Sequence, residues 1–311
     1  MAEDTQAYED EGAAVGALPG PLVSVEWLAA RLGAPGLRVF DASVGAPGQV
    51  PDASVGARRG SGTRIPGAGV FDIDGALSDH TAPVPHTMPD AARFTEEMRA
   101  LGLNDTDTVV VYDAAGIYSS ARARWMLRAM GFDRAAILDG GLPAWTAAGL
   151  PVTEGAPEPA AGRGDFTARP RPGLLVGAGE VAEALADPGA AVLDARTRGR
   201  FEGTEPEPRT GLRGGHMPGA VSLPFGRLQD EGRMRAPDEL RAAFAGAAGD
   251  RERLYFSCGS GVTACVLALG AELAGYRDLA VYDGSWSEWG LPTGDPAAPE
   301  TPADRPVVTG P

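Results

Sequence analysis

A cysteine in a glycine-rich loop is the residue of this sequence best suited to nucleophilic chemistry. Cys258 ends the run Y-F-S-C (255–258) and is followed by G-S-G-V-T-A (259–264). Apolar spacing after this loop predicts a helix over roughly 262–274. N–H groups at a helix start carry partial positive charge, and glycines let a loop curl around an anion. A thiolate at Cys258 would be stabilised there, which predicts a nucleophilic cysteine.

The alternative interpretation of Cys258 is a buried core residue followed by a glycine turn. The second cysteine, Cys265, lies seven residues beyond Cys258, a distance of about two helical turns. We expect it to be a small core residue facing the sheet, with a redox role as the alternative. Two cysteines, one of them reactive, favour a reducing compartment over a disulfide scaffold.

Composition limits the classes of function. The chain has 311 residues, 43% of them hydrophobic, which suits two domains of ordinary size. Its net charge of −15 and scattered basic residues argue against nucleic-acid binding, so small-molecule or protein partners are expected. No apolar run is long enough to span a membrane, and the acidic first twenty residues resemble no targeting signal, so we expect a cytoplasmic protein. The chain contains no lysine, which excludes Schiff-base chemistry on the protein.

Segments of the first half recur in the same order in the second half. The pairs are V-S-V-E-W-L-A-A-R-L (23–32) with V-G-A-G-E-V-A-E-A-L (176–185), V-F-D-A (39–42) with V-L-D-A (192–195), I-P-G-A (65–68) with M-P-G-A (217–220), V-V-Y-D-A-A-G (110–116) with Y-F-S-C-G-S-G (255–261), and A-I-L-D-G-G-L-P-A-W (136–145) with A-V-Y-D-G-S-W-S-E-W (280–289). Their common order indicates a duplicated unit. Each half alternates short apolar strands with helices, which predicts an α/β fold with a mainly parallel sheet and helices on both faces.

The repeat also predicts the domain organisation. We expect the following segments: a disordered acidic amino terminus (1–20), a first domain (21–152), a linker rich in Pro, Ala and Gly (153–173), a second domain (174–292) and a Pro-rich tail on the surface or disordered (293–311). Asp113, or a neighbour in its loop, takes the place of Cys258 in the first half, so only the second half has the nucleophile.

The run C-G-S-G-V-T-A (258–264) resembles the active-site loop of the rhodanese superfamily, in particular that of its 3-mercaptopyruvate sulfurtransferases. The layout over roughly residues 21 to 292 resembles the tandem rhodanese architecture. The resemblance implies two rhodanese-like domains, with an inactive first domain that closes one wall of the site on the second. It implies a sulfurtransferase that moves the sulfur of 3-mercaptopyruvate through a Cys258 persulfide and releases pyruvate. The expected acceptors are cyanide, a small thiol or a thioredoxin-like protein, and no metal or organic cofactor is required.

The same resemblance assigns the substrate arginines. The run G-R-F-E-G-T-E-P-E-P-R (199–209) is similar to the family's substrate segment, whose two arginines correspond to Arg200 and Arg209. It follows a strand parallel to the one that ends at Cys258, and ligands bind beyond the carboxyl ends of such strands. Guanidinium forks suit the planar carboxylate and ketone of mercaptopyruvate, although a solvated surface role is the alternative. Arg196 and Arg198 are expected to be solvent-facing or structural.

A hydrogen-bonded relay beside the nucleophile is also implied by the resemblance. Ser260 corresponds to the family's active-site serine, and F-D-I-D (71–74) and P-V-P-H-T-M-P (83–89) to its aspartate and histidine segments, which gives Asp74 and His86. Such a relay would move a proton of the substrate thiol. In the alternative reading Asp74 caps a turn and His86 lies at the domain interface, while His80 competes for the histidine role.

Other residues near the loop have less specific roles. His216 looks like a structural histidine, and Trp286 and Trp289 either border the mouth of the site or belong to the core. The loop residues that would form the persulfide cradle are Gly259, Gly261, Val262 and Thr263, the last of which is expected in the first helical turn, where it donates to the sulfur or caps the helix.

Three alternative functions remain to be compared. Thiosulfate sulfurtransferase would use the same cysteine, but the loop lacks basic residues that would meet a dianionic donor. A cysteine phosphatase requires an arginine where this chain has Ala264. A non-catalytic sulfur-carrier or binding module would not turn over small donors.

Overall fold

Two five-stranded parallel sheets, one from each half of the chain, form the framework of the protein. The computed structural model describes residues 15–44, 62–157, 159–292 and 305–311. The strands of the first sheet are β1 (Leu22–Val23), β2 (Leu37–Asp41), β3 (Gly69–Val70), β4 (Thr108–Tyr112) and β5 (Ala135–Leu138). Those of the second half are β6 (Leu175–Val176), β7 (Ala190–Asp194), β8 (Val221–Ser222), a small antiparallel pair β9 (Gln229–Asp230) and β10 (Arg233–Met234), then β11 (Arg253–Ser257) and β12 (Asp278–Tyr282).

The two sheets have the same topology, which confirms the predicted duplication and fold class. The strand orders are β1-β5-β4-β2-β3 and β6-β12-β11-β7-β8. The two sheets also share their strand register. Phe40 lies opposite Val111 in the first sheet, and Leu193 lies opposite Phe256 in the second. The repeat aligns Phe40 with Leu193 and Val111 with Phe256. The central strands β4 and β11 therefore occupy matching places.

Helices cover both sheets. They are α1 (Val25–Ala29), α2 (Ala91–Ala100), α3 (Ser119–Ala129), α4 (Gly141–Ala147), α5 (Ala178–Ala186), α6 (Arg198–Glu202), a 3-10 helix (Phe225–Leu228), α7 (Pro237–Ala248), α8 (Ala264–Ala274) and α9 (Ser285–Trp289). Side-chain caps begin several of them: Ser24 accepts a hydrogen bond from the Trp27 amide at 3.2 Å at the start of α1. In the described ranges no helix is long and apolar enough to cross a bilayer.

The two halves share one continuous core. Helices α3 and α8 pack against each other, and the largest cluster of buried residues includes Trp125 of the first half and Phe244 and Phe256 of the second. Burying one such aromatic side chain stabilises the fold by roughly 2 to 3 kcal/mol. The two halves are therefore held together by a shared core.

The described parts of the segments outside the two repeats contact the folded halves. The expected disorder of residues 1–20 needs correction at its end, because Val15 is buried and its carbonyl accepts a hydrogen bond from Arg31; residues 1–14 lie outside the described ranges. In the linker, Phe166 is buried in the core of the first half. Of the predicted tail, residues 293–304 lie outside the described ranges. Residues 305–311 lie along the second half, where Val308 pairs with His216.

Candidate active site

The nucleophile lies where a central strand of the second sheet ends. β11 ends at Ser257, so Cys258 is the first residue of the loop that leads to α8. This helix begins at Ala264, two residues later than the apolar spacing predicts. Val262 and Thr263 therefore belong to the loop, and the Thr263 side chain makes no capping hydrogen bond. Cys258 is 1% exposed, so a substrate must enter the site to reach its sulfur.

Ser285 supports the loop from behind, and the sequence reasoning missed it. Its Oγ accepts hydrogen bonds from the amides of Cys258 and Gly261, both at 3.1 Å, and donates to the Tyr282 carbonyl at 2.8 Å. The same oxygen is 4.0 Å from the Cys258 sulfur. Ser285 is fully buried and has a φ of 49°, a strained conformation for a serine. Its position just after β12, the neighbour of β11, was the available signal.

Close packing explains why the loop contains two glycines. A Cβ atom on Gly261, whose φ is 75°, would lie 2.7 Å from the Asp283 carbonyl oxygen. A Cβ atom on Gly259 would lie 3.1 Å from Arg200 Nη2. Gly259 thus allows a guanidinium to approach the loop, and Gly261 allows the turn itself.

Arg200 is held over the loop by a carboxylate that the sequence reasoning did not single out. Its Nη2 contacts Glu207 at 2.6 Å and its Nε contacts the same group at 3.2 Å. Glu207 also accepts a hydrogen bond from Arg196 at 2.7 Å, and its side chain is only 2% exposed. Arginine has five N–H donors, so the Nη1 group of Arg200 can still donate to a substrate.

Arg209 reaches the loop through a serine. Its Nη1 donates to Ser287 Oγ at 3.3 Å, and that hydroxyl donates to the Gly259 carbonyl at 2.6 Å. Partial burial lowers the pKa of the Arg209 guanidinium. The negative charge of a Cys258 thiolate opposes this shift, and the positive charge of nearby Arg200 reinforces it. Both predicted substrate arginines are thus brought to the entrance of the Cys258 loop.

The first half contributes a tyrosine to this entrance that the sequence reasoning missed. Tyr118 packs edge-to-face on Phe225, with ring centroids 5.7 Å apart. Burial, with a further effect of the Cys258 charge, raises the pKa of the Tyr118 phenol to about 12. The phenol is therefore a neutral hydrogen-bond donor at ordinary pH.

The structure also joins the three relay candidates in one chain of hydrogen bonds. His86 Nδ1 is 2.9 Å from Ser260 Oγ, and His86 Nε2 is 2.7 Å from Asp74 Oδ1. His80 instead contacts the Gly75 carbonyl on the exposed side of that segment. Ser260 is 7% exposed and lies two residues beyond the nucleophile.

The remaining residues that the sequence singled out have contacts or exposure typical of structural or surface residues. Arg196 is 2% exposed, pairs with Asp194 at 2.7 Å and lies over Trp286, whereas the Arg198 side chain is largely exposed. His216 stacks on Phe201 and contacts its carbonyl at 2.8 Å. Both Trp286 and Trp289 are core residues. Within the described ranges, no group of three or more His, Cys, Asp or Glu side chains could hold a metal ion.

Comparison with known proteins identifies the fold family. The family model of the Rhodanese-like domain matches residues 24–148 and 177–291. The chain belongs to the rhodanese family. Among its relatives, the human 3-mercaptopyruvate sulfurtransferase is 43% identical over 277 residues, covering 86% of this chain and 91% of the relative. A Cricetulus griseus relative named thiosulfate sulfurtransferase is 40% identical over 280 residues, with the same coverage of 86% and 91%.

A solved structure agrees with this assignment over both rhodanese domains. The crystal structure of SseA from Escherichia coli, described among 3-mercaptopyruvate sulfotransferases, matches with a TM-score of 0.76 and 38% identity. The match covers 86% of this chain and 99% of SseA. The tandem arrangement predicted from the internal repeat is therefore that of the family.

The first rhodanese domain retains the strand, loop and helix but places its own carboxylate in the loop. Asp113 follows β4 as Cys258 follows β11. Its oxygens accept hydrogen bonds from the amides of Ala115 at 2.9 Å and of Tyr118 and Ser120 at 2.8 Å. Burial raises the pKa of this carboxyl, and the hydrogen bonds oppose the shift. In the first domain, the loop amides therefore bind the carboxylate of Asp113, where the equivalent loop of an active domain would bind a sulfur anion.

Proposed function

We propose that this rhodanese-family protein is a 3-mercaptopyruvate sulfurtransferase with Cys258 as its nucleophile. The observation that carries the proposal is the chain of hydrogen bonds from Ser260 through His86 to Asp74 beside that cysteine. A donor whose sulfur carries a proton needs a group that moves this proton, and a histidine between a hydroxyl and a carboxylate is suited to that task. The relatives named 3-mercaptopyruvate sulfurtransferase support the same donor.

In the proposed reaction, the Cys258 thiolate attacks the donor sulfur and the carbon–sulfur bond breaks. Its electron pair forms the enolate of pyruvate, while a new sulfur–sulfur bond leaves a persulfide on Cys258. The proton of the donor thiol ends on the enolate carbon, and the relay through Ser260 and His86 carries it. Loading therefore converts a thiolate and mercaptopyruvate into a persulfide anion and pyruvate.

Arg200 and Arg209 are proposed to bind the carboxylate and the carbonyl oxygen of the donor. Both guanidiniums reach the loop, and the carbonyl oxygen becomes negative when the enolate forms, so the same contacts strengthen along the reaction. The amides of residues 259, 260, 262 and 263 are proposed to hold the outer sulfur until an acceptor removes it, because the Gly261 amide already donates to Ser285.

The sulfur acceptor is proposed to be cyanide, a small thiol or a thioredoxin-like dithiol protein. The protein is proposed to be located in the cytoplasm. Attack by the acceptor on the outer sulfur regenerates the Cys258 thiolate. Neither half-reaction needs a metal or an organic cofactor in this scheme. Both cysteines of the chain are free thiols in the structure, which is compatible with a reducing compartment.

Thiosulfate is the second candidate donor, because one relative at 40% identity is named thiosulfate sulfurtransferase. It would load Cys258 by losing sulfite, with no proton to move. The loop residues 259–263 carry no basic side chain, so a dianion finds less positive charge there than in a loop rich in lysine or arginine.

Thiocyanate formation from cyanide with each donor tests the proposal. We expect kcat/KM for mercaptopyruvate to exceed that for thiosulfate by at least about tenfold, which corresponds to about 1.4 kcal/mol in the transition state. Cys258→Ser should abolish turnover with both donors. A preference for thiosulfate would keep the cysteine chemistry and overturn the donor, and an absence of turnover with either would indicate a sulfur carrier.

A further inference from the structure

A buried arginine of the first domain contacts residues of both domains beside the active site. Arg122 lies on α3 and its side chain is fully buried. Its Nη2 donates to Asp283 Oδ1 at 2.6 Å and to the His86 carbonyl at 2.9 Å. The first contact crosses to the second domain, and the second is made to the backbone of the relay histidine.

Asp283 completes this connection from the other side. Its second oxygen, Oδ2, accepts a hydrogen bond from the Met88 amide at 2.9 Å, two residues beyond His86. Its backbone lies against the catalytic loop, since a Cβ atom on Gly261 would be 2.7 Å from the Asp283 carbonyl oxygen and 3.3 Å from Arg122 Nη1. Arg122 and Asp283 together therefore contact the histidine segment and the Cys258 loop.

The histidine segment needs such support because its backbone is strained. His86 has a φ of 63°, which is uncommon for a residue with a side chain. Strained residues persist at functional sites only where the surrounding structure holds them. The hydrogen bonds to the His86 carbonyl and the Met88 amide hold the backbone on both sides of the strained residue.

Fold stability alone does not account for Arg122. Its Nε and Nη1 groups have no oxygen or nitrogen acceptor in the described part of the chain, and the remaining polar neighbour of Arg122 is the weakly accepting thiol of Cys265. A buried guanidinium with unsatisfied donors is costly, and a buried ion pair is weak support for stability. A well-packed apolar residue could fill the same place between α3 and the loop.

We propose that Arg122 and Asp283 form an interdomain clamp that positions His86 against Ser260 for transfer of the donor's proton. The clamp rests on the proposed function, because it matters only for a donor whose sulfur carries a proton. Both are positioning residues and neither touches the reacting atoms. The clamp should therefore affect the loading of Cys258 from mercaptopyruvate and not the discharge of the persulfide to cyanide, which moves no proton.

Single-turnover measurements separate these two steps. Pyruvate release from mercaptopyruvate gives the loading rate, and thiocyanate formation after addition of cyanide to the loaded protein gives the discharge rate. We expect Arg122→Gln and Asp283→Asn each to slow loading by about ten- to a hundredfold, the loss typical of a misplaced catalytic group, and to leave discharge unchanged. If Arg122→Gln does not fold, the nearly isosteric Asp283→Asn carries the test.

Two controls distinguish positioning from a general structural role. Arg124 lies on the same helix and bridges the domains by contacts of 2.8 and 3.0 Å to Glu272, away from the loop. Arg124→Gln should leave the ratio of loading to discharge at its native value. In a His86→Gln background, Arg122→Gln should slow loading no further, because the clamp acts through that histidine.

The outcomes separate the clamp from the proposed function. Equal slowing of loading and discharge, an unchanged loading rate, or a further loss in the His86→Gln background would overturn the clamp while the sulfurtransferase assignment stands. A native protein that forms no persulfide from mercaptopyruvate would overturn the proposed function, and the clamp with it.

Discussion

Replacing Arg200 by glutamine should raise the apparent KM for mercaptopyruvate by about 10- to 150-fold. The lost interaction is a charge-assisted hydrogen bond to the donor carboxylate, worth about 1.5 to 3 kcal/mol. The change should not unfold the site, because Glu207, whose side chain is 2% exposed, keeps its 2.7 Å contact with Arg196. Arg209 also remains, so turnover at saturating donor should persist.

The assay is thiocyanate formation over a range of mercaptopyruvate concentrations, with thermal unfolding as a check of the fold. Arg198→Gln is the matched control, because that arginine is two residues away on α6 but its side chain is 68% exposed and, among the described residues, forms an ion pair only with Glu202 of the same helix. Exposed pairs of this kind contribute little, so its KM should equal the native value. Equal KM values for the Arg200 and Arg198 variants would refute the binding role of Arg200.

Three further changes test other parts of the site. His86→Gln should lower kcat with mercaptopyruvate by about 100-fold or more and leave thiosulfate-supported turnover intact, since only the first donor needs proton transfer; equal losses with both donors would contradict the relay. Ser285→Ala should lower the free energy of unfolding in urea by at least about 2 kcal/mol, because two buried amides lose their acceptor; native stability would show that the amides find other partners. Burial raises the pKa of Cys265 to about 12, so this group stays a thiol at pH 8, which is about four pH units lower. Iodoacetamide should therefore modify the native protein at Cys258 alone. Labelling of Cys265 in the folded Cys258→Ser protein would contradict the burial of Cys265.

The internal repeat carried most of the fold prediction. Equivalent segments such as 110–116 and 255–261 fall at the same strand ends, and the two sheets share strand order and register. Alternation of short apolar strands with helices was enough for this, because both are local patterns. The start of α8 was placed two residues early, since apolar spacing does not show where the backbone first turns.

The polar contacts of the site were less predictable. The sequence singled out Cys258 because glycines and a following helix are local signals. The clamp joins Arg122 and Asp283, which are 161 positions apart, and no periodicity links them. The role of Glu207 was not predictable for another reason. An acidic residue in a charged loop is usually solvated, and only the fold shows that Glu207 is buried between two arginines.

The measurement that tests the central claim most directly is the intact mass of the protein after brief incubation with mercaptopyruvate. We predict a gain of one sulfur atom, located on the peptide that contains Cys258 and removed by cyanide with release of thiocyanate. The Cys258→Ser protein should show neither the gain nor the release. A native protein that produces pyruvate without this mass change, or a Cys258→Ser protein that still transfers sulfur, would contradict a persulfide on Cys258.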